Sequence, residues 1–178
     1  MTRHAAAPEL RTDRLVLRGH SRDDYSDMVA MWSHPDIVRF IGGRPLSREE
    51  AWARFLRHAG MWANMGFGFW AVTDRATGRL IGEAGFHELR RELSPRIEGS
   101  LETGWSLTPE MHGKGLATEM LDAILAWGAG NFPGRRVTCL IDPDNAASLR
   151  VAEKLGFREI ARTTYHGSPI VVFELTAA

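Results

Sequence analysis

Leu101-Glu102-Thr103-Gly104-Trp105-Ser106-Leu107-Thr108-Pro109-Glu110-Met111-His112-Gly113-Lys114-Gly115-Leu116-Ala117 is the stretch that decides the fold. It reads as a strand over Ser100–Leu107, a break at Pro109, a glycine-rich turn, and a helix that starts at Leu116. A helix entered through Gly-x-Gly has several N–H groups without intrahelical partners and the positive end of the helix dipole. Glycine lets that backbone approach an anion, because no Cβ stands in the way. The spacing therefore predicts a diphosphate cradle made by the N–H groups of Gly113, Lys114, Gly115, Leu116, Ala117 and Thr118.

Outward from this turn, the pattern alternates between strands and helices. Arg14–Arg18 alternates charged and aliphatic residues, as a half-buried strand does. Ser21 and Asp23 offer caps to a helix over Asp24–Ser33, ended at His34-Pro35. Ser47-x-x-Glu50 is a capping box ahead of a helix bearing Trp52, Phe55 and Leu56. Phe67–Thr73 and Leu80–Glu88 read as a hairpin, and Ser100–Leu107 extends the meander. After the helix Leu116–Gly130 come a strand over Val137–Ile141 and a helix over Ala146–Leu155, which stops at Gly156. Phe157–Tyr165 and Ile170–Leu175 close the chain as a hairpin. The order predicts one α/β (α+β) domain over residues 10–178: a mixed sheet of about seven strands flanked by four helices. Residues 1–9 are expected to form a flexible tail.

Composition sets the class. The 178 residues are 44% hydrophobic and 25% charged, which suits a globular domain. The 22 basic and 22 acidic residues balance, with no basic block, so a nucleic-acid binder is not expected. The single cysteine, Cys139, excludes an intrachain disulfide and reads as a buried core thiol. No run approaches the ~18 apolar residues of a membrane span, and the expected compartment is the cytoplasm. The seven histidines lack metal-ligand spacing, so no metal is expected. Core packing is the expected fate of most of the six tryptophans.

The order His112-Gly113-Lys114-Gly115-Leu116-Ala117, Asn145-x-x-Ser148 and Lys154-Leu155-Gly156-Phe157 resembles the GNAT superfamily of acyl-CoA-dependent N-acetyltransferases. The first of these is similar to that family's Arg/Gln-x-x-Gly-x-Gly/Ala turn. Leu10-Arg11-Thr12-Asp13-Arg14-Leu15, Gly66-Phe67-Gly68-Phe69-Trp70-Ala71-Val72 and Glu102-Thr103-Gly104-Trp105 resemble the RimJ/RimL branch. The resemblance spans Leu10 to Leu175. It implies acetyl-CoA as co-substrate, an amine as acceptor, and a mostly antiparallel sheet whose central strands splay. It also implies a bulge in the strand around Gly104–Leu107, with the pantetheine arm lying in the gap. Two positions depart from the family: His112 stands where an Arg or Gln is usual, and Ala152 where many relatives carry a tyrosine acid.

Moving an acetyl group from a thioester to an amine requires a held diphosphate, a polarised carbonyl, a deprotonated amine and a stabilised thiolate. The resemblance assigns the N–H of Leu107 to the oxyanion, Glu102 to the base, directly or through water, and Ser148 to the departing thiolate. Asn145 would orient the cofactor arm or the helix start. An α-amine at pH 7 loses its proton for about 1 kcal/mol and a lysine for about 4.6 kcal/mol, so a single glutamate suits the former better.

Each assignment has a plainer counterpart. Glu102 could be an ordinary strand residue, Asn145 a helix cap and Ser148 a first-turn residue. Lys114 could simply be solvated, and Arg150 and Lys154 could reach the ribose phosphate or only solvent. A phosphate-loop hydrolase fails on spacing, since Gly115 follows Lys114 where Ser or Thr is needed, and a dinucleotide fingerprint fails at Thr118. A catalytically silent acyl-CoA sensor remains the non-enzyme alternative. The edges of the last hairpin offer a route to a homodimer.

Overall fold

The computed structural model describes residues 5–175. Its elements in chain order are β1 (Leu10–Arg11), β2 (Leu15–Arg18), α1 (Tyr25–Trp32), α2 (Pro35–Val38), α3 (Arg48–Met65), β3 (Phe69–Asp74) and β4 (Leu80–His87). They continue with β5 (Leu101–Leu107), α4 (Leu116–Asn131), β6 (Val137–Ile141), α5 (Ala146–Lys154), β7 (Phe157–Tyr165) and β8 (Ser168–Leu175). The eight strands form one sheet in the order β1-β2-β3-β4-β5-β6-β8-β7, antiparallel at every pairing except β5 with β6.

The expected α+β sheet is present, with one more strand and one more helix than the sequence suggested. The extra strand, β1, is two residues long and pairs Leu10 with Leu17. The extra helix, α2, begins at the proline that ends α1: Pro35 takes the first helical position, where no N–H is needed, and the His34 side chain caps Asp36. The chain just before β1 is tied down, since Trp70 Nε1 donates to the Pro8 carbonyl at 2.7 Å. The first four residues of the expected tail lie outside the described residues.

Register determines which residues share a face, because directly opposed residues project to the same side of a sheet. One face carries Leu17 and Val72 and, further along, Trp70, Ala84 and Phe86. Met120, Leu121 and Ile124 of α4 pack on it to form the main core. The other face presents Glu83, Gly85 and His87 of β4, opposite Ser106, Gly104 and Glu102 of β5, and α3 covers its Glu83 end.

The parallel pairing of β5 with β6 is confined to Leu101↔Val137 and Glu102↔Thr138. Beyond Glu102 the two strands splay, as the family resemblance implied. The bulge expected in β5 is absent, because β4 and β5 keep one register from Gly82↔Leu107 to His87↔Glu102. The divergence therefore lies entirely on the β6 side. Among the described residues no helix is long and apolar enough to cross a membrane.

Candidate active site

A cleft of about 470 Å³ opens where β5 and β6 part. Its walls are the end of β5 (Trp105, Ser106, Leu107), the turn and first residues of α4, and one face of α5 (Asn145, Ser148, Val151). Of the sequence candidates, Leu107, His112, Gly113, Gly115, Leu116, Ala117, Thr118, Asn145 and Ser148 all line it. Lys114 and Glu102 do not.

The turn has the geometry of a cradle. Gly113 and Gly115 sit at φ 72° and 76°, the left-handed region that disfavours a side chain. The space around Gly113 is open for 4 Å, and the nearest atom to a Cβ on Gly115 would be Arg14 Nη2 at 3.7 Å. The first helical bond of α4 runs from the Glu119 N–H to the Gly115 carbonyl. The N–H groups of Leu116, Ala117 and Thr118 come before it and have no intrahelical acceptor. A support that sequence reading missed holds the turn from behind. Arg14 donates to the Lys114 carbonyl at 2.9 Å and to Glu119 at 2.7 Å, and Glu119 also accepts from Thr12 at 2.6 Å. The Lys114 ammonium lies 3.8 Å from Met111 Sδ and acts on the Asp74 carboxylate.

Strand alternation orients the Leu107 amide. Thr108 N–H donates across to Ile81 of β4, so Leu107 turns its own N–H and C=O the other way, into the splay. His112 Nε2 lies 2.9 Å from the Leu107 carbonyl oxygen and donates to it. The residue that replaces the family's usual Arg or Gln thus ties the turn to the end of β5. The Leu107 N–H stays aimed at the cleft.

On α5, Asn145 Oδ1 accepts from the Ser148 N–H at 3.0 Å, so Asn145 is the helix cap. The cleft also receives the side chains of Arg39, Arg150 and Lys154, a cationic rim suited to phosphates.

Glu102 occupies different ground. It is 4% exposed and takes a fork from Arg91, with Nε at 2.8 Å and Nη2 at 2.7 Å, plus a bond to His87 Nε2 at 2.7 Å. Burial alone would raise its carboxyl, but the bond from His87 and the fork and charge of Arg91 overcome that and hold it at about 2. Glu83, on the same face, is arranged alike, with Arg54 at 2.6 Å and His58 at 3.2 Å. Burial opposes ionisation there too, and the charge of Arg54, helped by the hydrogen bond from His58 and by His20 at 3.7 Å, holds the carboxyl well below the ordinary range.

His20, His58 and Glu83 bring three metal-ligand types within 4.8 Å of one another. The two imidazoles lie face to face, with centroids 4.4 Å apart and planes 8° apart. Their in-plane lone pairs run side by side and do not converge on one ion, and Arg54 already holds the carboxylate. The cluster behaves as a buried charge network.

Trp32, Trp62 and Trp70 are buried as core filling, while Trp52 is 38% exposed beside Tyr25 and Phe55, and Trp105 lines the cleft. Burial drives the Cys139 thiol upward and keeps it protonated, in keeping with a core thiol.

A glycine turn feeding a helix, beside a parallel strand pair that splays open, defines a coenzyme-A-type acyltransferase fold. The family model for the acetyltransferase (GNAT) domain matches residues 14–158, and the chain belongs to that family. It is similar to the N-acetyltransferase YoaA of Bacillus subtilis, 29% identical over 153 residues, covering 85% of this chain and 84% of that one. Among solved structures, a GnaT-family acetyltransferase from Bordetella pertussis superposes with a TM-score of 0.86 at 34% identity, covering 96% of this chain and all of that one. The fold also matches RimL, a ribosomal L7/L12 α-N-protein acetyltransferase solved with coenzyme A, at a TM-score of 0.76 and 15% identity over 94% of this chain and 97% of RimL.

Proposed function

We propose that this acetyltransferase moves the acetyl group of acetyl-CoA directly to a primary amine, a peptide or protein N-terminal α-amine or a small-molecule amine, in the cytoplasm. The observation that carries this reading is the alignment of two features in one cleft. The left-handed turn at Gly113 and Gly115 sits at one end, and β5 runs from it with its Leu107 amide turned into the splay. Coenzyme A joins a diphosphate to a long amide-bearing arm, and the cleft offers a complement to each part in that order.

In this reading the N–H groups of Gly113–Thr118 hold the diphosphate, and Arg150 and Lys154 face the remaining phosphate. The Leu107 N–H, steadied through His112, stabilises the carbonyl oxygen as it takes on charge. Ser148 Oγ lies on the cleft wall, where it can donate to the departing thiolate. Asn145 fixes the first turn of α5 and with it the position of Ser148. The carboxylate of Glu102 is committed to Arg91 and His87, so its contribution to deprotonation is indirect.

The test is titration of coenzyme A by calorimetry, followed by thiol release from acetyl-CoA with an amine panel. A suitable panel is a tripeptide with a free N-terminus, Nα-acetyl-lysine amide, spermidine and an aminoglycoside, with the acetylated product weighed by mass spectrometry. Turnover on any of them supports the proposal and ranks the acceptors. Coenzyme A binding without turnover on any of them would leave the acyl-CoA sensor as the better reading.

A further inference from the structure

The geometry points to the Nδ1 atom of His87 as the acceptor of the amine's proton, with Glu102 and Arg91 as positioning residues behind it. This rests on the acetyl-transfer reading above. His87 is the last residue of β4 and sits directly opposite Glu102 on the face of the sheet that carries Glu83. Its Nε2 lies 2.7 Å from Glu102 Oε1. An ionised carboxylate only accepts, so Nε2 carries the hydrogen and Nδ1 is left with the lone pair. Among the described residues Nδ1 has no hydrogen-bond partner, and the side chain is 17% exposed.

The ring lies against Gly104. The ring's Cε1, which is bonded to Nδ1, stands 3.8 Å from where a Cβ on Gly104 would be. Gly104 is two residues past the last β5–β6 pair. Here β5 is bare along one edge, while on its face the Phe69 ring stands 3.0 Å from where a Cβ on Gly104 would be. An arm anchored at the glycine turn and paired to Leu107 and Trp105 runs back along β5 and ends beside Gly104. Phe69 stacks on the imidazole at 5.2 Å and 28°, which fixes its plane. The charged group that touches this ring is Glu102 on β5, backed by Arg91 in the segment after β4 and by Tyr165 of β7 under Arg91; Glu83 with Arg54 and Arg57 lies farther along the face, and His58 of α3 lies across Phe69. Arg91 and Glu102 neutralise each other through their fork, and the carboxylate is the member that touches the ring.

The steps balance as follows. The acceptor arrives as an ammonium and gives one proton to Nδ1, which leaves a lone pair on nitrogen. That pair forms the C–N bond at the thioester carbon, and the carbonyl pair moves onto oxygen facing the Leu107 N–H. When the carbonyl reforms, the C–S bond breaks with its pair on sulfur. The nitrogen's second proton ends on the sulfur near Ser148, and the imidazolium returns its proton to water. The Glu102 carboxylate is already committed to the Arg91 fork and the His87 N–H, whereas Nδ1 of the neutral ring keeps a lone pair free to accept.

The test compares His87→Gln, whose amide can still donate to Glu102, with the wild type. The acceptors are the panel amine with the highest turnover and hydroxylamine, which is largely unprotonated at neutral pH. Coenzyme A affinity and thermal midpoint should be unchanged. Turnover on the protonated amine should fall about 10²- to 10⁴-fold, turnover on hydroxylamine far less, and free imidazole should restore part of the loss. Equal losses on both acceptors without rescue would overturn the assignment, as would an unimpaired variant. If His87→Gln does not fold, the wild type decides. Its turnover should show a solvent deuterium isotope effect on the protonated amine that is absent with hydroxylamine, and equal effects on both acceptors would overturn the assignment. Absence of thiol release by the wild type overturns the acetyl-transfer reading itself; activity that ignores His87 overturns only this inference.

Discussion

Gly115→Ala puts a number on the cradle. Residue 115 sits at φ 76°, ψ 3° as the residue from which α4 starts, and a Cβ there would meet nothing closer than Arg14 Nη2 at 3.7 Å. Contact is therefore harmless, and the cost is conformational: about 1–2 kcal/mol for an L-residue held in the left-handed region. That cost has two places to appear. If Arg14 and Glu119 hold the turn in shape without ligand, it lowers the stability of the free protein, by about 2–8 °C for a chain of this size. If the turn relaxes, the free protein is spared, and coenzyme A must restore the strained shape on binding. Its dissociation constant then rises by about 5- to 30-fold. With coenzyme A saturating, both routes reach the same deficit of about 1–2 kcal/mol. Thermal melts with and without coenzyme A, together with calorimetric affinities, measure the two parts. An alanine variant with unchanged melting and unchanged affinity would show that the bound ligand does not need a left-handed residue 115, and the cradle argument would fail.

Other perturbations report on other parts of the site. Ser148→Ala should lower turnover by about 10²-fold, the scale of one lost transition-state donor, with coenzyme A affinity unchanged; normal turnover with a lower melting point would make Ser148 a helix residue only. Arg14→Ala removes the clamp on the Lys114 carbonyl and the partner of Glu119. Because Arg14 is half exposed, the expected loss is modest, about fivefold in coenzyme A affinity by calorimetry, and an unchanged affinity would show that the turn holds itself. Stability should fall with acid in two stages. Burial, opposed by Glu83, holds His58 at about 4 when folded against 6.5 unfolded. The folded state therefore takes up fewer protons, and about 2 kcal/mol present above pH 6.5 is lost by pH 5. Glu102, held at about 2 against 4.5, contributes about 3 kcal/mol above pH 4.5 that disappears as pH falls toward 2. Urea unfolding across this range reads both stages, and a stability that is flat from pH 7 to 5 would contradict the neutral, buried His58.

What the sequence made legible was written in local signals. The Ser47–Glu50 capping box, the Gly156 stop and the glycine turn ahead of α4 each occupy a few consecutive residues, and each appears where the spacing put it. Asn145 and Ser148 are three apart on one helix start, so their hydrogen bond follows from helix geometry alone. The elements that escaped are those with too little chain to show a period. Strand β1 has two residues and α2 four, and both depend on partners elsewhere: β2 for the first, and the His34 side chain for the cap of the second. The clamp of Arg14 on Glu119 joins residues 105 apart, and no spacing rule reaches that far.

The chemistry of Glu102 illustrates the same limit at the site itself. Its position on β5 is readable, but its state depends on His87 and Arg91, which converge on it only because β4 and β5 pair in one particular register. A slip of one residue would send the His87 ring to the opposite face and leave the carboxylate with Arg91 alone. With the register as it stands, both acids on that face are bound by an arginine and by histidine, Glu102 by His87 and Glu83 by His58 and, at 3.7 Å, His20. Neither carboxylate is left to accept a proton near neutrality. His58 and His87 differ in one respect that matters. His58 faces the sheet from α3 with its side chain 5% exposed, while His87, at the end of its strand beside Gly104, is 17% exposed. Proton traffic with an incoming amine requires that access, so the loss of β6 pairing that opens the cofactor cleft also determines which imidazole can serve it.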